Sequence, residues 1–183
     1  MGGARILLMT IGAILLANSE SARALNYGTS IDGGLVQQPT SQYFHLGYGI
    51  SLWAASSSQR IGLRATYFER PKFRSNSFED QDRGGAALAY GSIWHKARTR
   101  LLAGVGAGRF DGYVRPQETQ SDFETRTYSI PGVVVWAQLT QSYGRLSFGM
   151  SHWTLAGYAG REQFDALVVW PFSVFSLSIG WSV

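Results

Sequence analysis

The sequence predicts an all-β protein: an eight-stranded antiparallel transmembrane β-barrel that follows a cleaved signal peptide. Three observations carry this expectation. Apolar residues alternate with small or polar ones at a period of two in several segments, as strands with one lipid-facing side require. Gly, Ser and aromatic residues are abundant, and few stretches show helical apolar spacing. Short and long connections alternate between these segments, in the order an even-stranded barrel needs.

Residues 1 to 24 read as an export signal. Arg5 supplies a short basic start, and Ile6 to Ala17 is an apolar core too short for an ordinary spanning helix. Ala22-Arg23-Ala24 then has the small-x-small pattern of a signal peptidase site. Two units are therefore expected, a signal peptide over 1–24 and a barrel over 25–183, the latter one domain by length. Without Arg5, Arg23 and Glu20, the 16 basic and 12 acidic residues fall to 14 and 11, a net charge of about +3. So small and scattered an excess argues against a nucleic-acid partner. Cysteine is absent, which excludes disulfides and thiolate sites. Later apolar runs are all interrupted by Gly, Ser or charge, so a transmembrane helix is not expected.

The first strand is expected over Asn26 to Gln37. In the second, Tyr43 to Trp53, Phe44, Leu46, Tyr48, Ile50 and Leu52 alternate with His45, Gly47, Gly49 and Ser51. In the third, Arg60 to Phe68, Ile61, Leu63, Ala65 and Tyr67 alternate with Gly62, Arg64 and Thr66. Gly85 to Trp94, Arg98 to Tyr113 and Thr127 to Thr140 supply the next three. Gly104-Val-Gly-Ala-Gly108 lies within the fifth and has no helix after it, which removes a phosphate-loop reading. The seventh runs from Gly144 to Thr154. The eighth ends with Phe175, Leu177, Ile179, Trp181 and Val183 against Ser176, Ser178, Gly180 and Ser182.

Gln163 to Val183 is about twice the roughly 9–11 residues of a tilted membrane strand. Pro171 is therefore expected to break it with a bulge or kink, because proline cannot donate to the ladder. Phe164 to Trp170 would then extend above the membrane or fold as loop. Ala55 to Gln59, His95 to Ala97 and Gln141 to Tyr143 are the expected periplasmic turns. Arg70 to Arg83 and Arg115 to Arg126 are the expected long outer loops, with a brief one around Pro39. Closure in the bacterial outer membrane follows, since an open edge would leave backbone groups unpaired in hydrocarbon.

Trp53, Trp94, Trp136, Trp170 and Trp181 are expected to include the aromatic girdles. Arg64, Arg100 and nearby carboxylates are expected to form a charge network in a lumen filled by side chains. His45 and His95 read as structural. No two histidines have ligand spacing with a carboxylate, so neither a metal nor another cofactor is expected.

The most informative stretch is Arg145 to Gly157. Leu146, Phe148, Met150, His152 and Thr154 share one strand face, so a hydrogen-bonding pair ends a lipid-facing row. A hydroxyl two residues from an imidazole is a nucleophile–base arrangement, with a third polar group needed to orient the ring. Glu162 is the nearest carboxylate that can return beside His152, and Asp165 is the next. The same pair also suits an interfacial girdle satisfied by headgroups and water, where polar residues cost only about 0–1 kcal/mol. At this point both readings are open.

Ser151-His-Trp-Thr-Leu-Ala-Gly157 resembles the S-H-x-S-N-A-G motif of the outer-membrane lipid A deacylases, the PagL family. Ala103-Gly-Val-Gly-Ala107 with Phe110 resembles that family's A-G-I-G-A segment, and Gly160-Arg-Glu-Gln-Phe164 its G-x-E/D start to the last strand. The resemblance covers about the second half of the chain. It implies hydrolysis of an ester-linked acyl chain of lipid A, or of lipopolysaccharide, in the outer leaflet and without a cofactor. It further implies His152 as general base, Thr154 in place of the serine nucleophile, and Glu162 as the orienting acid. Leu155 stands where the motif has asparagine, which helps form the family's oxyanion hole, so Leu155→Asn is expected to raise activity if that missing donor is limiting. The alternative is a non-catalytic barrel of structural or adhesive type whose outer loops carry its function. The outer-membrane bilayer is a partner on either reading, and the sequence leaves a homodimer open.

Overall fold

Strands that alternate between lipid and lumen stand in a membrane only if every backbone group finds a partner strand. The computed structural model describes residues 25–37, 44–56, 61–74, 78–116, 126–159 and 168–183, so the signal peptide read over 1–24 lies outside them. Its strands are β1 (Leu25–Gln37), β2 (Phe44–Ser56), β3 (Ile61–Arg74), β4 (Phe78–Lys96), β5 (Thr99–Pro116), β6 (Arg126–Tyr143), β7 (Leu146–Ala159) and β8 (Val168–Ser182). Each pairs antiparallel with the next, and β8 pairs with β1 to close the barrel.

The period of two decides which side is which. Leu146, Phe148 and Met150 on β7, and Phe175, Leu177 and Ile179 on β8, are exposed on the outer wall. Ser151, Ser176 and Ser178 on the opposite parity are buried inside. Ile31, Leu46, Ile50, Leu52, Val105, Val133 and Val135 extend the apolar belt around the barrel. Exposed apolar rows outside and buried serines within are the arrangement lipid demands. An inward-facing apolar set, as in a soluble lipocalin-like barrel, is excluded.

Side chains fill the lumen apart from a small cavity near its periplasmic end. Val36, Phe68, Leu88, Phe110, Val134, Trp136, Trp153, Leu155 and Val174 pack as its apolar core. Towards the periplasmic end, Arg64 donates to Gln138 Oε1 at 3.0 Å and to the Ser51 and Ser30 hydroxyls at 2.8 and 3.3 Å. Asp32 lies 3.6 Å from the same guanidinium, which also covers the Trp136 ring at 5.0 Å. Arg100, expected in this network, has no ion pair among the described residues and instead lines a cavity of about 150 Å³ beside Arg64.

Several expectations are corrected. Most of the loop read over 70–83 is strand: β3 and β4 continue to pair, Arg70 opposite Asp82 and Phe73 opposite Asp80 across a bulge. This buries a second charge cluster, in which Arg70 meets Asp82 at 2.7 Å and Asp80 at 2.8 Å while the Tyr128 hydroxyl donates to Asp82. Arg115 and Arg126 likewise belong to β5 and β6. Gln141 to Tyr143 end β6, and the turn is Gly144–Arg145, where the left-handed φ of +60° at Gly144 suits glycine. The other described turn holds Ala97 and Arg98, with the His95 ring nitrogen 2.8 Å from the Ala97 carbonyl. Pro171 makes no bulge, since the register with β7 runs through it opposite Ala156 without a shift. The segment 164–167 and the loop around Pro39 lie outside the described residues.

The tryptophans divide by parity. Trp136 and Trp153 are buried in the lumen and Trp53 packs against the apolar core from inside, so none of these is a girdle residue. Trp94 and Trp181 do face out, together with Tyr27 and Tyr143. Trp94 reaches the outside because a register shift between Ser92 and Trp94 inserts one residue and reverses the parity set by Leu88 and Tyr90. The Trp170 side chain is outside the described set.

Candidate active site on the outer wall

β7 rises from the Gly144–Arg145 turn, so its upper half lies towards the outer leaflet. His152 and Thr154 project from there to the lipid side, while Trp153 and Leu155 between and above them anchor the strand in the core. Register completes the surroundings. On β6, Ala137 lies opposite His152 and Val135 opposite Thr154. On β8, Phe175 lies opposite His152 and Ser173 opposite Thr154.

The contacts follow from these pairings. The imidazole stacks on the Phe175 ring with centroids 4.2 Å apart and planes 10° from parallel. Its Nε2 lies 3.2 Å from Thr154 Oγ1, and Ser173 Oγ lies 3.1 Å from the same oxygen on the other side. With the proton on Nδ1, Nε2 accepts from the threonine hydroxyl, which is the state a general base requires. An imidazole and two hydroxyls thus form a chain on a lipid-facing wall, able to deprotonate an alcohol beside an ester carbonyl.

His152 and Thr154 are brought together as the spacing predicts. Glu162 and Asp165, the first and second choices for the orienting acid, lie outside the described residues. The spacing within β7 does not single out Ser173 or Phe175 as site residues, because both lie on a separate strand. A signal for Ser173 exists, since it is a hydroxyl on the outward parity of an otherwise apolar strand, as Thr154 is on β7. Among the described residues, no group of three or more His, Cys, Asp or Glu is placed to hold a metal ion.

The position of Leu155 bears on the oxyanion expectation. The residue is 1% exposed and points into the lumen core, on the far side of the strand from the Thr154 hydroxyl. An amide there faces away from the Thr154 hydroxyl. Leu155→Asn is therefore expected to give no gain in hydrolysis and to destabilise the barrel by about 2–5 kcal/mol, through lost packing and an unpaired buried amide. Urea unfolding from lipid vesicles, run beside an ester-hydrolysis assay, measures both effects. A faster and equally stable variant would contradict the inward placement.

An eight-stranded closed barrel with an apolar outer belt, a packed lumen and short turns at one end is a small outer-membrane β-barrel, and the bacterial outer membrane is its location. Solved structures of that class match it in fold. The attachment invasion locus protein Ail of Yersinia pestis matches with a TM-score of 0.59 at 12% identity, over 87% of this chain and 97% of that one. OprG of Pseudomonas aeruginosa matches with a TM-score of 0.58 at 8% identity, over 87% and 94%. Neisserial surface protein A matches with a TM-score of 0.57 at 9% identity, over 86% and 96%. No protein-family model matches the chain, and no curated protein matches it in sequence.

Proposed function

We propose that this barrel is a lipid A deacylase-like esterase, cleaving an ester-linked acyl chain in the outer leaflet. The observation that supports it is the 3.2 Å contact between His152 Nε2 and Thr154 Oγ1 on the lipid-facing wall. A lipid ester near the headgroup boundary meets that hydroxyl without leaving the membrane. As Oγ1 bonds to the carbonyl carbon, its proton passes to Nε2; the expelled sugar alcohol then takes that proton. Water, deprotonated by the same imidazole, releases the fatty acid from Thr154. Stacking on Phe175 holds the ring in place, and Glu162 is the carboxylate that the motif assigns to orient it, with Asp165 next.

Thr154→Ser is expected to raise the rate, because it keeps the hydroxyl and removes the methyl that restricts the rotamer and the approach. The test is the mass of lipid A from membranes carrying the wild-type or the Thr154→Ser protein. Loss of one acyl chain supports the reading, and greater loss with serine supports the role of Thr154.

The second reading is a non-catalytic barrel of structural or adhesive type, and the comparisons favour it over an esterase. Two of the proteins that share the fold are named for attachment and for the cell surface, not for hydrolysis. Ail is also described in complex with a heparin analogue, sucrose octasulfate. A filled lumen leaves the outer wall and the loops as the surfaces able to act. Lipid A unchanged by both the wild-type and the Thr154→Ser protein decides for this reading.

A further inference from the structure

An ester hydrolase needs a donor for the oxyanion that forms when its nucleophile adds to the carbonyl. Leu155 is not that donor, being apolar and turned into the lumen. Ser173 is on the correct side of the wall, 3.1 Å from Thr154 Oγ1 and held opposite it by the β7–β8 register. Its neighbour Val174 is 0% exposed in the core, which pins β8 at this level.

Proton counting then orients the contact. A threonine hydroxyl carries one proton. When Thr154 donates it to Nε2, Thr154 Oγ1 can only accept from Ser173, so the serine O–H already points at the nucleophile. We propose that Ser173 is a catalytic residue, its hydroxyl donating to the oxyanion formed as Thr154 attacks the ester. This rests on the esterase reading above and deepens it.

The step balances. A bond forms between Thr154 Oγ1 and the carbonyl carbon, the C=O electron pair moves onto oxygen, and the Oγ1 proton goes to Nε2. The oxyanion and Oγ1 share that carbon, so the Ser173 hydroxyl reaches the new charge by rotating about its Cα–Cβ bond. Its own proton stays on Ser173. Collapse restores the C=O and breaks the bond to the sugar oxygen, which leaves with the Nε2 proton. A donor that strengthens its bond only as charge develops acts on kcat and leaves substrate binding alone.

The experiment uses the purified full barrel in detergent micelles with a p-nitrophenyl ester of a long-chain fatty acid, and in vesicles with lipid A. Ser173→Ala is expected to lower kcat by about 10²–10³ with KM unchanged. Ser173→Thr is expected to keep most of the rate, since the hydroxyl remains. Peptide mass analysis is expected to find the trapped acyl group on Thr154. Wild-type turnover by Ser173→Ala overturns the inference and leaves the esterase reading standing, as does a change in KM alone. An acyl group found on Ser173 also overturns it, by making that residue the nucleophile. Wild-type and Thr154→Ser proteins that neither turn over nor react with a fluorophosphonate probe remove the esterase reading and this inference together.

Discussion

Thr154→Ala is expected to abolish acyl release from lipid A while leaving a folded barrel in the membrane. The proposed nucleophile is removed outright, and among the described residues the imidazole bonds to Thr154 while Ser173 bonds to Thr154 from the other side. His152→Ala is expected to fall with it, losing the roughly 10²–10⁴ that a positioned general base contributes. The double variant is expected to be little worse than either single one, because residues acting as one unit are non-additive. Folding survives because both side chains stand on the outer wall. What is lost there is a pair of hydrogen bonds at about 0.5–1.5 kcal/mol each, while the core beneath stays intact. Lipid A mass reports the chemistry, and heat-modifiable migration of the barrel on a gel reports the fold. Thr154→Ala protein that still deacylates would sink the assignment of Thr154.

The largest effect on stability is expected from Arg70→Met. The Arg70 side chain is 2% exposed and joins Asp82, 1% exposed, and Asp80, 11% exposed. Removing the cation leaves two neighbouring carboxylates in the upper lumen without the guanidinium that pairs with both of them. Breaking a buried pair from one side typically costs about 3–5 kcal/mol, since the remaining charge is uncompensated. Adding Asp82→Asn to Arg70→Met is expected to recover part of that loss, because it takes away one of the two stranded charges while Tyr128 stays bonded to the side chain. Urea unfolding midpoints in lipid vesicles give all three values. A loss under about 1 kcal/mol for Arg70→Met would mean that water from the outer opening already solvates the cluster.

The strand count, the closure and the outward rows were legible in sequence. Each rests on alternation within a single segment, as with Leu146, Phe148 and Met150 or Phe175, Leu177 and Ile179. His152 and Thr154 were legible for the same reason, because shared parity on one strand places them together. The outer rim was not. Arg70 to Arg83 is polar and charged, as a loop is, yet its charges pair across β3 and β4 and continue the barrel. Composition cannot tell a solvated loop from two strands whose polar residues satisfy one another.

What the sequence by itself determined is therefore sidedness. A side chain's direction along a strand is a local property with a period of two, so lipid-facing and lumen-facing sets follow from each segment alone. The inward turn of Leu155 belongs to this category, since it sits one residue from the outward Thr154. Only the tertiary structure decided which residues meet across strands. Ser173 reaches Thr154, Phe175 stacks on His152, and Arg70 finds Asp80 and Asp82 because of register. Register is set by pairing between separate segments and by bulges such as the one that turns Trp94 outward. A one-residue slip would turn the apolar rows into the lumen, which each segment's own pattern forbids, whereas a slip of two keeps the faces and changes every cross-strand partner.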